Sequence, residues 1–164
     1  MQKTFISTYY SLACQAGEAF RINPVVILAQ SAIESGWGQS TLAHEYRNFF
    51  GITGYGKTNT WWKGNTAELG PHSLKFRVYA SAADSFMDYA HLLRTAYRKA
   101  ADQSFQPAAF ARAISCSRYI SEVNGDNREA YRSLLIRLCR KIEKQVAALI
   151  SHKKTNSLIT HENH

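Results

Sequence analysis

The chain has little of what defines several protein classes. Its three cysteines, Cys14, Cys116 and Cys139, are odd in number and show no C-x-x-C spacing, so neither a disulfide framework nor a zinc knuckle is indicated. They read as small core residues. Three prolines and nine glycines in 164 residues exclude collagen-like and proline-rich chains, and a 45% apolar content excludes disorder. No apolar run is longer than Val25–Ala29, far short of the roughly 18 residues a membrane helix requires. Six histidines lack ligand spacing, and three of them fall in or near the last residues. No metal is expected, and no cofactor is required. Acidic side chains are also scarce: 12 Asp and Glu against 20 Lys and Arg leave a net charge of +8. Such a surface suits a polyanion, whether nucleic acid, anionic lipid or bacterial wall. The basic residues are scattered and accompany no nucleic-acid motif, which ranks nucleic acid last.

What is present describes one domain, because this length matches a single hydrophobic core. Residues 1–150 form the expected domain, and residues 151–164, without a sustained period, are expected to be a mobile tail. Phe5, Tyr9, Leu12, Ala16 and Phe20 recur at helical spacing and predict a packed first helix. That stretch breaks its apolar character with Ser and Thr, unlike a signal peptide, and Ser11-Leu12-Ala13-Cys14 is only a faint lipobox imitation. Asn23-Pro24 caps a second helix with its stripe at Val26, Gln30, Ile33 and Trp37, stopped by Gly36 and Gly38. From there to Pro71 the chain is rich in glycine and aromatics. Leu74, Phe76 and Val78 alternate with Lys75, Arg77 and Tyr79, predicting a half-buried strand paired with residues near Trp61 and Trp62. Ser81 with Asp84 caps a helix faced by Phe86, Tyr89, Leu93, Ala96 and Tyr97. Pro107 opens a shorter helix through about Ile114. Asp126 with Glu129 caps the last, whose stripe is Tyr131, Leu134, Leu135, Leu138, Ile142, Val146 and Leu149. The fold class is therefore mainly α (α+β), a helical domain with a small β-hairpin lobe.

The chemistry concentrates in Ala29-Gln30-Ser31-Ala32-Ile33-Glu34-Ser35-Gly36-Trp37-Gly38. Glu34 falls in the last turn of an apolar helix, where the negative end of the helix dipole and walls such as Ile27 and Trp37 both disfavour a carboxylate. Both push its pKa up, and a raised Glu is a general acid. Lysozyme, the standard example of this device, sets an acid against a Trp to keep it protonated for a glycosidic oxygen.

Three motifs occur in one order: Glu34-Ser35-Gly36-Trp37-Gly38-x-Ser40, Asn48-Phe49-Phe50-Gly51-Ile52 and Phe76-Arg77-x-Tyr79. The set resembles glycoside hydrolase family 73, the peptidoglycan N-acetylglucosaminidases of flagellar rod-assembly proteins and autolysins, from about Phe5 to Ile142. The resemblance implies a lysozyme-like fold whose helical body and β lobe hold a glycan strand in a groove. It implies Glu34 as the catalytic acid and a second acid in the β lobe, for which Glu68 rather than Glu45 lies in the hairpin region. It implies a late Tyr in a Gly-Tyr-Ala-Thr-Asp type stretch, which Ser117-Arg118-Tyr119-Ile120-Ser121-Glu122 matches through Tyr119. Arg118 replaces the glycine there, and the following Asn124-Gly125-Asp126-Asn127 also departs from the pattern.

Trp37, Asn48, Phe49, Tyr55, Trp61 and Trp62 are the expected sugar-binding residues; Phe49, Tyr55, Trp61 and Trp62 sit among glycines, and flat rings in such a setting suit the apolar faces of sugars. Core packing is the competing account, and the Trp pair is expected to split, one buried and one lining the cleft. The implied activity cleaves the β-1,4 bond after N-acetylglucosamine. A lytic transglycosylase or muramidase, or a non-catalytic wall-binding module, are the alternatives. The partner is the peptidoglycan strand, outside the cytoplasmic membrane. No signal peptide is visible, so the sequence is expected to be either an excised domain or one exported by a specialised machinery, and a cognate inhibitor is left open.

Overall fold

The structure, a computed structural model, describes residues 1–120 and 126–162. The elements follow in the order α1 (Gln2–Phe20), α2 (Pro24–Ser35), α3 (Thr41–Tyr46), β1 (Thr66–Leu69), β2 (Leu74–Arg77), α4 (Ala82–Ala96), α5 (Arg98–Asp102), α6 (Pro107–Ser115) and α7 (Asp126–Glu162). A helical body with one small antiparallel hairpin is thus what the sequence encodes.

α2 organises the body. The Asn23 side chain accepts from the Val25 amide at 3.0 Å, Pro24 takes the first helical position, and Gly36 ends the helix at a φ of 56°. Val25 through Ala32 are all buried, more than the single stripe expected from sequence. A helix apolar on nearly every side belongs in the centre, and α1 and α7 pack against this one. Fully burying each of Val26, Ile27 and Leu28 contributes roughly 1.5–3 kcal/mol. Trp37 is not on the stripe, because it lies past the helix end with a φ of 56°.

The hairpin differs from expectation in phase. β2 pairs with β1, just past the Trp pair, in the register Thr66 with Arg77 and Glu68 with Lys75. Trp61 and Trp62 stand in a turn, where both amides donate to the Asn59 side-chain oxygen at 2.8 Å. Leu74 is exposed while Arg77 and Tyr79 are buried, the reverse of the predicted faces. Asp88 on α4 is the cause. Its carboxylate accepts from Arg77 Nη1 at 2.8 Å, from the Tyr79 hydroxyl, and from Asn59 Nδ2 at 2.7 Å. One buried acid therefore pins the hairpin and the Trp turn to the body. Arg77 also donates to the Thr53 and Tyr55 carbonyls and lies 4.1 Å over the Trp62 ring.

Ser81 caps α4 by accepting from the Asp84 amide at 3.1 Å, as the sequence predicted. α3 and α5 were not foreseen, because 6 and 5 residues are too few to show a period. α7 passes Ile150 and reaches Glu162. No Gly or Pro occurs in this stretch to stop it, although residues 151–161 are all exposed. Cys139 is buried as expected of a core residue, Cys14 is half-buried, and Cys116 is exposed. Ser121, Glu122, Asn124 and Gly125, and the side chain of Asp126 with its expected cap, lie outside the described residues.

Candidate active site

Glu34 is carried to its place by the end of α2. Ser35 donates to the Ser31 carbonyl at 2.6 Å and accepts from the Gly38 amide at 2.8 Å, holding the turn directly after the acid. Gly36, Trp37 and Gly38 all take positive φ there. Burial raises the Glu34 carboxyl from its ordinary 4.5 to about 7, and a hydrogen bond from Tyr131 acts in the opposite sense. The sequence anticipated the direction and named two causes; desolvation is the one that dominates.

A polar relay stands behind the acid. The Tyr131 hydroxyl donates to Glu34 Oε1 at 3.3 Å, and it accepts from Gln30 Nε2 at 3.0 Å. Gln30 Oε1 in turn accepts from the Tyr89 hydroxyl. Gln30 lies one turn before Glu34 on the same helix, completely buried, so the relay comes from α2, α4 and α7 together. Burial keeps the Tyr131 phenol protonated and able to donate.

On the opposite side, Gly51 brings backbone against the carboxyl. A Cβ there would stand 3.6 Å from Glu34 Oε2, and a φ of +68° favours glycine. Asn48 shapes this loop. Its amide donates to the Ile52 and Arg77 carbonyls, and its oxygen accepts from the Phe50 and Ile52 amides. An Asn side chain has two donors and two acceptor sites, and all are thereby used. Asn48 holds Gly51 in place and has no hydrogen bond left over for a sugar.

Tyr119 joins Glu34, Ile120, Asn127, Ala130, Tyr131 and Leu134 around a depression of about 450 Å³. Its hydroxyl is buried with no hydrogen-bond partner among the described residues, and burial followed by the charge of Glu34 keeps it protonated. Its ring meets Tyr89 and Tyr97 edge-on.

The structure therefore brings Glu34 and Tyr119 together. The other expected residues take separate places. Glu68 is exposed on β1, opposite Lys75. Phe49 is a core residue, packed on Tyr9 and Phe86. Trp62 is buried, its Nε1 donating to the Asn65 carbonyl at 2.8 Å. Trp61 is half-buried beside Phe20 and His91 and lines a smaller depression with Arg47 and Asp84. The Trp pair differs in burial through the Asn59 turn instead of strand alternation, and the depression beside Trp61 is separate from the one at Glu34. Trp37 meets Phe5 edge-on and opens toward α1, and Tyr55 is exposed. Sequence reasoning had placed Gln30 and Tyr131 on apolar stripes and missed them as site residues. A glutamine on such a stripe, four positions before an acid, was the available signal. Among the described residues, no cluster of His, Cys, Asp and Glu is arranged to hold a metal ion, and no helix is long and apolar enough to cross a membrane.

A carboxylic acid that keeps its proton near neutrality, beside an open depression on a mainly helical body with a small hairpin, places the molecule with the lysozyme-like glycoside hydrolases. Comparison with known proteins agrees. The glucosaminidase family model, described as mannosyl-glycoprotein endo-beta-N-acetylglucosaminidase, matches residues 10–144, and the chain belongs to this family, glycoside hydrolase family 73. The peptidoglycan hydrolase FlgJ of Pseudomonas aeruginosa is 30% identical over 134 residues, 72% of this chain and 32% of that protein. A Lactococcus lactis subsp. cremoris protein named as an N-acetylmuramidase is 34% identical over 101 residues, 57% of this chain and 22% of its own length. The glycoside hydrolase domain of Salmonella typhimurium FlgJ superposes with a TM-score of 0.67 at 27% identity, covering 95% of this chain and 99% of that domain. The chain thus spans about a third of the length of the Pseudomonas relative.

Proposed function

We propose that the chain hydrolyses peptidoglycan as an endo-β-N-acetylglucosaminidase, cutting the β-1,4 bond between N-acetylglucosamine and N-acetylmuramic acid with Glu34 as general acid. The observation that carries this reading is the Glu34 carboxyl, raised by burial to about 7 and hydrogen-bonded by Tyr131 on Oε1. With Oε1 occupied as an acceptor, Oε2 is the oxygen free to carry the proton. That proton passes to the leaving glycosidic oxygen as the bond from the anomeric carbon breaks and the sugar becomes oxocarbenium-like. The Tyr119 phenol, next to Glu34 and with a hydroxyl that has no partner among the described residues, orients the N-acetyl group or faces the positive charge that develops. Glu68 is assigned the second carboxylate: it takes a proton from the water whose oxygen bonds to the anomeric carbon. The substrate's own acetamido oxygen is the competing nucleophile. The product anomer distinguishes the two routes.

The basic surface fits a wall carrying carboxylates and anionic polymers, and such a substrate places the activity outside the cytoplasmic membrane. A second reading, cleavage after N-acetylmuramic acid, is favoured by the name of the lactococcal relative. Digestion of purified peptidoglycan by the wild type and by Glu34→Gln, with borohydride reduction and mass spectrometry, tests both. Reduced N-acetylglucosamine ends that vanish in the variant are expected. Reduced muramic acid ends, or anhydro ends, would transfer the activity to a muramidase or lytic transglycosylase. No release at all would refute hydrolysis.

A further inference from the structure

A second cavity, of about 600 Å³, lies where α4, α5 and α6 meet, and nothing in the proposed reaction uses it. It adjoins the site through a shared wall. Tyr97 lines the cavity, and its ring meets Tyr119 edge-on with centroids 5.5 Å apart, while Tyr119 lines the depression at Glu34. Ser117, also in the cavity wall, accepts from the Tyr119 amide at 3.1 Å.

The lining has two chemistries. Ala100, Ala109 and Ala113 provide methyl groups, and Arg98, Lys99 and Arg112 provide positive charge, with no carboxylate in the wall among the described residues. None of these cations has an ion-pair partner among the described residues. Asp102, on the same short helix as Arg98 and Lys99, is already paired with Arg94 at 2.5 Å. Like charges around a concave, partly apolar surface repel one another and focus a positive potential into it, which an anion relieves. The volume falls within the roughly 300–1,000 Å³ of sites that enclose small ligands.

We infer that this cavity is a subsite for the short anionic peptide borne by the peptidoglycan strand. The peptide's carboxylates would face Arg98, Lys99 and Arg112, and its alanine methyls would lie on the Ala109 and Ala113 surface. The methyl-lined floor favours a peptide over a wall polyphosphate, which is polar along its whole length. This inference rests on the wall substrate proposed above and extends it from the glycan to its branch.

The test uses the Arg98→Glu/Arg112→Glu double variant, with Arg98→Gln/Arg112→Gln as a milder control, on soluble glycan strands with their peptides and on the same strands stripped by an amidase. The wild type should show a kcat/KM higher by up to roughly tenfold on peptide-bearing strands, as two exposed charge contacts are worth. The double variant should lose that preference through KM and keep its rate on stripped strands. In parallel, the free stem peptide is titrated into isotope-labelled protein, with inorganic polyphosphate as a separate probe. Amide shifts at Ala109 and Ala113 with the peptide, absent in the double variant, are expected. Equal loss on both substrates, equal wild-type rates on both, or shifts with polyphosphate but not with peptide would each overturn the subsite. If the wild type cuts neither strand, the proposed hydrolysis fails, and the peptide shifts alone then decide whether the cavity binds its ligand.

Discussion

The proton that Glu34 keeps should be visible in stability as well as in turnover. Its carboxyl titrates at about 7 in the folded chain against an ordinary 4.5, so between these values the native state holds a proton that the unfolded chain releases. A raised folded pKa contributes stability in full below the unfolded value and loses it as pH rises through the folded one. At roughly 1.4 kcal/mol per pH unit, an ionised Glu34 costs the fold up to about 3 kcal/mol at high pH. Glu34→Gln keeps the shape and removes the ionisation, so it should match the wild type near about pH 4 and exceed it near about pH 8. For a chain of this size, where one kcal/mol moves the Tm by roughly 2–4 °C, the gain is up to about 6–12 °C. Differential scanning calorimetry of both proteins across that range measures it. A Tm difference that does not change with pH, or a variant less stable than wild type at the alkaline end, would refute the placement of a desolvated carboxyl at the end of α2.

Tyr131→Phe removes the hydrogen bond that favours the charged form of Glu34. The alkaline limb of the kcat/KM profile should therefore move up, by about one pH unit for a long bond to a charged acceptor; a limb that stays in place or moves down would sink the relay. Asp88→Ala leaves the buried Arg77 guanidinium without its counter-charge and the Tyr79 and Asn59 donors without their acceptor. Urea unfolding should report a loss of about 3–5 kcal/mol. A loss under about 1 kcal/mol would mean that the hairpin is held by something else.

Glu34 was legible in the sequence because its anomaly is local: an acid in an apolar run, just before Gly36. The relay behind it was not. Gln30 and Tyr131 are partners 101 residues apart, and each occupies a position its helix periodicity assigns to the core. Periodicity reports that a residue is inside; it does not report which polar groups meet there. The hairpin shows the same limit with the opposite outcome. Alternation correctly predicted a strand at Leu74–Arg77 but assigned Arg77 to solvent, because a charged residue is outside unless paired, and its partner Asp88 lies on the next helix. The Trp61–Trp62 turn hangs on a single Asn59 oxygen, a pattern with no period to detect. Glycine and capping signals, which act within a few residues, placed the ends of α2 and the start of α4 correctly.

The two polar clusters divide the work of the molecule. Glu34 takes its environment from α2, α4 and α7 and from the loop that Asn48 folds around Gly51. The hairpin takes its position from Asp88, a different residue of α4, which holds it through Arg77 and Tyr79. α4 is common to both: Tyr89 enters the acid's relay, and its neighbour Asp88 anchors the lobe. Adjacent helical residues point in directions about 100° apart, so one helix can serve the acid on one face and the lobe on another. A change in the hairpin's exposed residues, Glu68 among them, would alter the surface of the lobe while leaving the burial that raises Glu34 untouched. The acid depends on the packed core, and the lobe can vary without weakening it.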